Sequence, residues 1–351
     1  MEIKELLEYT INKKASDLHL LSGVPPMIRV NGFLFPVTGK ETLTPEAVSQ
    51  LVLSLVNDEQ KEILLVNKEL DFSFTSDQAR FRINAYYQKG NLAAALRLIP
   101  NQIPKINDLN LPDICHSFAQ LRQGFILVTG PTGQGKSTTL ASIIDEIAQT
   151  RPVHIVTIED PIEYVFNHRK AIISQREIRA DTHSWQIALR SCLREDPDVV
   201  MIGEMRDYET IASALTIAET GHLVFSTLHT NSAAQSVDRI IDVFPANQQV
   251  QIRIQLALTL EAILSQRLLP SLVSGRVPAT EILVATPAVR NAVREGKTQM
   301  IDTILQTSGE LGMRTLEVDL VSLVKKGQIS LEVAQSFALR PEELMRLNRS
   351  K

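Results

Sequence analysis

The chain has 351 residues and is poor in cysteine: only Cys115 and Cys192 occur, far apart and without paired CxxC spacing. That excludes a tetracysteine zinc site and a disulfide framework, and both thiols read as small buried apolar groups of a reducing compartment. An excess of positive charge is also lacking. The formal net charge is −4, which gives no global pull toward nucleic acid or anionic lipid. No basic tract interleaved with aromatics is present, so no nucleic acid is expected as a partner. No apolar run is long enough to span a bilayer, and the N-terminal MEIKELLEYTINKK is too charged for a signal peptide. Internal repeats and low-complexity tracts are lacking too. These absences leave a globular protein expected in the cytoplasm, with two domains at about 100–200 residues each.

The first hundred residues read as a small α+β unit. Ile3, Leu6, Leu7, Thr10 and Ile11 recur at helical spacing. SDLHL alternates like a short strand, and IRVNGFLFPV carries Asn31-Gly32 between apolar runs, a hairpin signal because both residues tolerate positive φ. Leu51 to Leu65 reads as one helix. FSFTSDQARFRINAYYQ and NLAAALRLI read as strands. IPNQIPKINDLNLP, rich in Pro, Asn and Asp, reads as a linker, placed at 101–116 between a domain of 1–100 and one of 117–351. Beyond it FILVT, HIVTI, VVMIG and LVFST are short continuous apolar runs separated by helical patterns. Such runs suit parallel strands buried on both faces, hence a doubly wound α/β domain. From Val250 onward the pattern is mostly helical.

The most informative stretch is Gly130-Pro131-Thr132-Gly133-Gln134-Gly135-Lys136-Ser137-Thr138, which fits G-x-x-x-x-G-K-[ST]. FILVT precedes it as a strand. A helix follows, with Leu140, Ile143, Ile144, Ile147 and Ala148 on one face. Glycines let backbone N–H groups curl around phosphate oxygens, and the helix N-terminus adds partial positive charge. Lys136 neutralises the β- and γ-phosphates, and Ser137 ligates Mg²⁺. The expected ligands are therefore ATP and Mg²⁺.

Two further strands end in acid. HIVTI runs into Glu159-Asp160-Pro161-Ile162-Glu163, and VVMIG into Glu204. Ligands of open α/β sheets lie beyond the carboxyl ends of strands, so these acids are candidates to hold metal or polarise water. Glu204 is taken as the water-activating base and Glu163 as a second acid near the γ-phosphate. Gly203 stands before Glu204 where Asp is common. His222 and His229 flank LVFST, a placement that on spacing alone is more often structural than functional. Arg80 and Arg82 share a strand face and Arg97 lies on the next strand; Arg190, Arg194 and Arg206 lie further on. Guanidiniums suit transition-state phosphate charge, although an ion pair is the commoner use.

Together these segments resemble the secretion-superfamily ATPases, and within them the retraction ATPases of type IV pili. SDLHL with PPMIRVNG and ARFRINAY resemble the family's N-terminal domain. GPTGQGKSTTLA resembles its Walker A, TIEDPIEY its Asp box, LREDPDVVMIGEMRDYET its Walker B and TGHLVFSTLHT its His box. AVRNAVREGK resembles its C-terminal AIRNLIRE element, with apolar swaps at Val289, Ala292 and Val293. The resemblance implies a PAS-like α+β N-terminal domain joined to a RecA-like P-loop ATPase domain with a helical C-terminal region. It makes Glu204 the catalytic glutamate and Glu163 the Asp-box acid, and sets His222 and His229 beside the nucleotide and Arg82 and Arg97 toward the phosphates. It further implies a homo-hexameric motor docked at an inner-membrane pilus platform protein, with an accessory retraction ATPase as a further candidate partner. Within the same chemistry the alternatives are an accessory retraction ATPase or another type II/IV secretion-superfamily ATPase; a nucleotide-bound scaffold without turnover is the reading of another class, and the intact Lys136 and both acids argue against it.

Overall fold

The computed structural model describes residues 2–30, 32–76, 79–99, 102–273 and 275–349. They form two compact units, residues 1–102 with 161–165, and 103–160 with 166–351.

In the first unit the order is α1 (Ile3–Asn12), β1 (Asp17–Leu20), β2 (Met27–Val30), β3 (Phe33–Pro36), α2 (Pro45–Leu53), α3 (Asp58–Asn67), β4 (Glu69–Thr75), β5 (Arg80–Gln88) and β6 (Asn91–Ile99). The strands form an antiparallel sheet in the order β3-β2-β1-β6-β5-β4. Leu6, Leu7, Leu18, Phe81, Ile83 and Leu96 fill its core. Val30 pairs with Phe33, as the hairpin reading requires, and Gly32 takes φ 88°; Asn31 itself lies outside the described residues. The single helix expected over Leu51 to Leu65 is instead two. Asn57 accepts from the Gln60 N–H while the Gln60 side chain accepts from the Asn57 N–H, a capping box that starts a new helix despite the continuing apolar pattern.

The second unit runs α4 (Ile114–Gln120), β7 (Gly124–Thr129), α5 (Lys136–Thr150), β8 (His154–Glu159), β9 (Ile172–Glu177), α6 (Trp185–Cys192), β10 (Val199–Ile202), α7 (Tyr208–Glu219), β11 (Leu223–Leu228), α8 (Ala233–Asp242) and α9 (Ala246–Thr259). It continues with β12 (Leu260–Pro270), β13 (Arg276–Val284), α10 (Pro287–Arg294), α11 (Ile301–Thr307), α12 (Leu316–Lys325), α13 (Leu331–Phe337) and α14 (Pro341–Arg349). The sheet order is β13-β12-β7-β11-β10-β8-β9, parallel except for β13. The four apolar runs are its β7, β8, β10 and β11, and β7, β10 and β11 are buried throughout. The face of α5 formed by Leu140, Ile143, Ile144, Ile147 and Ala148 is buried against the sheet as its spacing requires.

From Val250 onward the chain is mostly helical, as expected, with one exception, the strands β12 and β13. β12 and β13 pair antiparallel and extend the sheet beside β7. Both strands are buried on both faces, so period-two alternation is missing and an apolar run of this kind does not distinguish strand from helix. Helices resume at α10. Residues 103–116, read as linker, are packed on the second unit. Ile106, Leu111 and Cys115 are buried, the Ser142 hydroxyl donates to the Pro104 carbonyl at 2.6 Å, and His116 meets Glu146 at 2.7 Å. Pro100 and Asn101 lie outside the described residues. No helix among the described residues is long and apolar enough to cross a membrane.

Candidate active site

β7 ends at Thr129, and the chain turns sharply before entering α5. Gly130 has φ 143°, and a Cβ there would sit 2.4 Å from the Gln266 carbonyl oxygen, so the turn against β12 admits only glycine. Gly133 and Gly135 also take positive φ, and Gly135 is the N-cap of α5. Lys136 is 7% exposed, with its ammonium donating to the carbonyls of Gly130 at 2.8 Å and Pro131 at 3.0 Å. The charge is thus held at the mouth of the loop by its own backbone. Ser137 and Thr138 follow in the first helical turn, both partly exposed.

Glu204 follows β10. The turn that carries it is stitched on both sides: Gly203 N–H donates to Ile158 O at 2.9 Å, Thr227 Oγ1 donates to Gly203 O at 2.7 Å, and Met205 N–H donates to Thr227 O at 3.2 Å. One Glu204 carboxylate oxygen pairs with Arg206 and the other lies 3.3 Å from His229 Nε2. His229 Nδ1 lies 3.3 Å from Thr132 Oγ1 and 3.5 Å from Lys136 Nζ. An ammonium only donates, so Nδ1 accepts and the ring proton sits on Nε2, directed at Glu204. The structure therefore brings Lys136, Thr132, His229 and Glu204 into one line along the carboxyl end of the sheet. The His229 imidazole sits between the loop and the acid.

The other expected site residues fall elsewhere. His222 precedes β11 while His229 follows it, so a six-residue strand, about 20 Å long, separates them. His222 Nδ1 contacts Ile217 O and Thr220 Oγ1, both at 3.0 Å, at the sheet end away from the loop. Within its own unit His222 therefore lies at the opposite end of the sheet from the phosphate loop, because a strand carries its two termini to opposite ends of the sheet. Glu163 is exposed, in the 161–165 segment that belongs with the first unit. Glu159, a strand-end acid, is buried and accepts from Thr157 Oγ1 at 2.7 Å and Gln175 Nε2 at 3.1 Å. Arg82 and Arg97 stand opposite each other on β5 and β6 of the first unit. Arg82 pairs with Asp71 at 2.7 Å and Arg97 with Asp17 at 3.0 Å, and the two arginine side chains remain 39% and 71% exposed. The Arg82–Asp71 pair, partly exposed on both sides, contributes only ~0–1 kcal/mol, whereas the carboxylate that Arg97 meets is buried.

Sequence reasoning missed the strand that backs the loop. Gln266 of β12 donates from Nε2 to Gln134 O at 2.7 Å and accepts from Thr139 Oγ1 at 2.8 Å. The Leu268 N–H donates to the Gln134 side chain at 2.6 Å. Next to it the hydroxyls of Thr129 and Ser265 meet at 2.9 Å. The signal was the polar pair Ser265-Gln266 inside an apolar run, because buried polar side chains are kept where they have partners.

The donor set suits a nucleotide phosphate chain. Among the described residues no three His, Cys, Asp or Glu groups cluster as a metal centre. A Mg²⁺ would fit that arrangement, since this hard cation keeps waters and phosphate oxygens and needs few protein ligands; Ser137 is the hydroxyl that could hold it.

Residues 2–275 match the family described as "Type II/IV secretion system protein". The chain belongs to this family. It is 46% identical over 343 residues to the type IV pilus retractation ATPase PilT of Pseudomonas aeruginosa, covering 97% of this chain and 99% of that one. It is 49% identical over 321 residues to a twitching motility protein of Neisseria gonorrhoeae, covering 91% of this chain and 86% of that one. Among solved structures, that of the pilus retraction motor PilT with bound ADP matches with a TM-score of 0.92 at 48% identity, covering 99% of both chains. Like these relatives the chain is an ATPase of two-domain α/β architecture.

Proposed function

We propose that this chain is the subunit of a homo-hexameric motor that hydrolyses ATP to retract type IV pili, the activity that drives twitching motility. One observation supports the chemistry most directly: Glu204 reaches the phosphate loop through His229, which itself meets Lys136 and Thr132. Similarity to retraction ATPases across almost the whole chain supports the biological role.

In this reading Lys136 leaves part of its contact with the loop carbonyls for the β- and γ-phosphate oxygens. Glu204 orients the attacking water, with its second oxygen kept in place by Arg206. His229 holds Glu204 through Nε2 and turns the accepting Nδ1 toward Lys136 and Thr132 of the loop. Ser137 is the residue that would hold Mg²⁺, which when bound neutralises charge on the phosphate oxygens. Arg82 and Arg97 exchange their carboxylate partners for the transferring phosphoryl group. Glu163 acts as a second acid. The working domains are 1–100 and 117–351, and residues 103–116 of the connection move with the second, because they are packed on it. The ring docks on an inner-membrane platform protein, and an accessory retraction ATPase is a further partner.

Imaging of the purified protein with ATP and Mg²⁺, paired with phosphate release, tests this. Closed rings of six and turnover that vanishes in Lys136→Ala are expected. A monomer under all nucleotide conditions, or equal release by the variant, refutes the motor.

A further inference from the structure

The carboxyl half of β12 runs past the end of β7. Their parallel pairing stops at Ser265 opposite Thr129, so backbone groups on that side of residues 266–270 need partners other than a strand. The phosphate loop provides one of them, for the Leu268 N–H. Gly130 approaches the Gln266 carbonyl too closely for any side chain. The Leu268 N–H donates to Gln134 Oε1 at 2.6 Å, so the side-chain amide of Gln134 replaces the missing strand. In the reverse direction Gln266 Nε2 donates to the Gln134 carbonyl at 2.7 Å, while its Oε1 accepts from Thr139 in the first turn of α5 at 2.8 Å. Gln266 is 3% exposed, and both ends of its amide are bonded.

We propose that Gln266 is a positioning residue of the nucleotide site and that, with Gln134, it sets the orientation of the peptide joining Gln134 to Gly135. That peptide is planar and trans, so a carbonyl held toward β12 turns the Gly135 N–H to the opposite side, as a donor for a phosphate oxygen. The same amide fixes the first turn of α5 through Thr139. A loop tied at its apex and at the following helix has less freedom to lose when phosphate binds. The proposal rests on the loop being an ATP site and deepens it: β12, a strand outside the nucleotide-binding motif, fixes the shape that the motif presents.

Calorimetric titration of ADP into the full-length protein, with steady-state ATP kinetics, tests it. Gln266→Glu keeps the acceptor for Thr139 but cannot donate to Gln134, and Gln266→Leu removes both ends at similar volume. Each is expected to raise the ADP Kd about five- to tenfold, the value of one to two hydrogen bonds. KM should rise with it, and kcat should change less than about twofold. A leucine among buried polar groups risks the fold, so Gln134→Ala, at a partly exposed position, is the second probe. Its ADP Kd should rise about threefold with a nucleotide-free melting temperature close to wild type. ADP binding within twofold of wild type by Gln266→Glu and Gln134→Ala, both folded, overturns the proposal. Wild-type protein that binds no ADP overturns the ATP-site reading itself, and this proposal with it.

Discussion

Replacing Glu204 by glutamine separates holding from chemistry. The substitution keeps shape and leaves a carbonyl oxygen to accept from His229 Nε2, which now lies 3.3 Å from the carboxylate. The Arg206 pair is lost, but Arg206 is 78% exposed, and an exposed pair contributes ~0–1 kcal/mol. For a unit of this size that lowers the melting temperature by at most about 2–4 °C. Nucleotide affinity should hardly change, because Lys136 is placed by Gly130 O and Pro131 O, not by Glu204. Turnover is different. An amide cannot accept the proton of an attacking water, and loss of a positioned base costs roughly 10²–10⁴-fold, or about 3–5 kcal/mol of barrier. Phosphate release under saturating ATP, with ADP affinity and melting measured on the same preparation, reads all three quantities. Turnover within about threefold of wild type by a folded, nucleotide-binding Glu204→Gln protein would remove Glu204 from the chemistry. A loss of affinity as large as the loss of turnover would make it a structural strut of the loop.

Three more outcomes follow from the geometry. Gly130→Ala drives a Cβ into the Gln266 carbonyl at 2.4 Å and forces a side chain to φ 143°; the strain and the displaced loop should cost about 2–4 kcal/mol and abolish ADP binding, read by denaturant titration and calorimetry. Arg82→Ala breaks a pair that is partly exposed on both sides, and Arg97→Ala removes a 71% exposed guanidinium from the buried Asp17, which keeps Ser16 and Arg29, so melting should change little while turnover falls if either guanidinium meets the phosphates; unchanged kinetics restore the ion-pair reading. Glu281, 2% exposed on β13, accepts from the Ala233 N–H at 2.7 Å and has Arg340 only at 4.0 Å, and burial pushes its carboxyl up to about 7. A folded pKa above the unfolded one gives stability that is complete below about 4.5 and lost as pH rises through about 7. Glu281→Gln should therefore melt higher than wild type at pH 8 and show a flatter pH dependence between 5 and 7; an unchanged slope refutes the assignment.

How much was legible in the sequence differs by physical cause. The parallel strands β7, β8, β10 and β11 were readable because each is a short, continuously apolar run bounded by polar turns, and the phosphate loop because its glycines and lysine act at fixed spacing. The chain of contacts from Lys136 to Glu204 was readable only in part: both residues lie at strand ends, but the sequence does not say which of two histidines joins them. Strand direction does. His229 leaves β11 at the edge where β7 and β10 also end, and His222 enters at the other. Once β11 is taken as parallel to β7, only the histidine after the strand can reach the loop.

The strand β12 was missed for a complementary reason. Its apolar residues carry no periodic signal when both faces are covered, so hydrophobicity alone left helix and strand equal. Its polar residues carried the information instead. Ser265 and Gln266 interrupt LEAILSQRLLP at its centre and are both buried. In a helix beside the sheet they would need partners from their own turn. In a strand that outruns its neighbour they find them in the loop that begins where β7 stops. Two amides and a hydroxyl pair therefore determine where the phosphate loop rests, and that dependence of the loop on a strand some 130 residues away in sequence is why a motif read alone gave the ligand without the geometry that receives it.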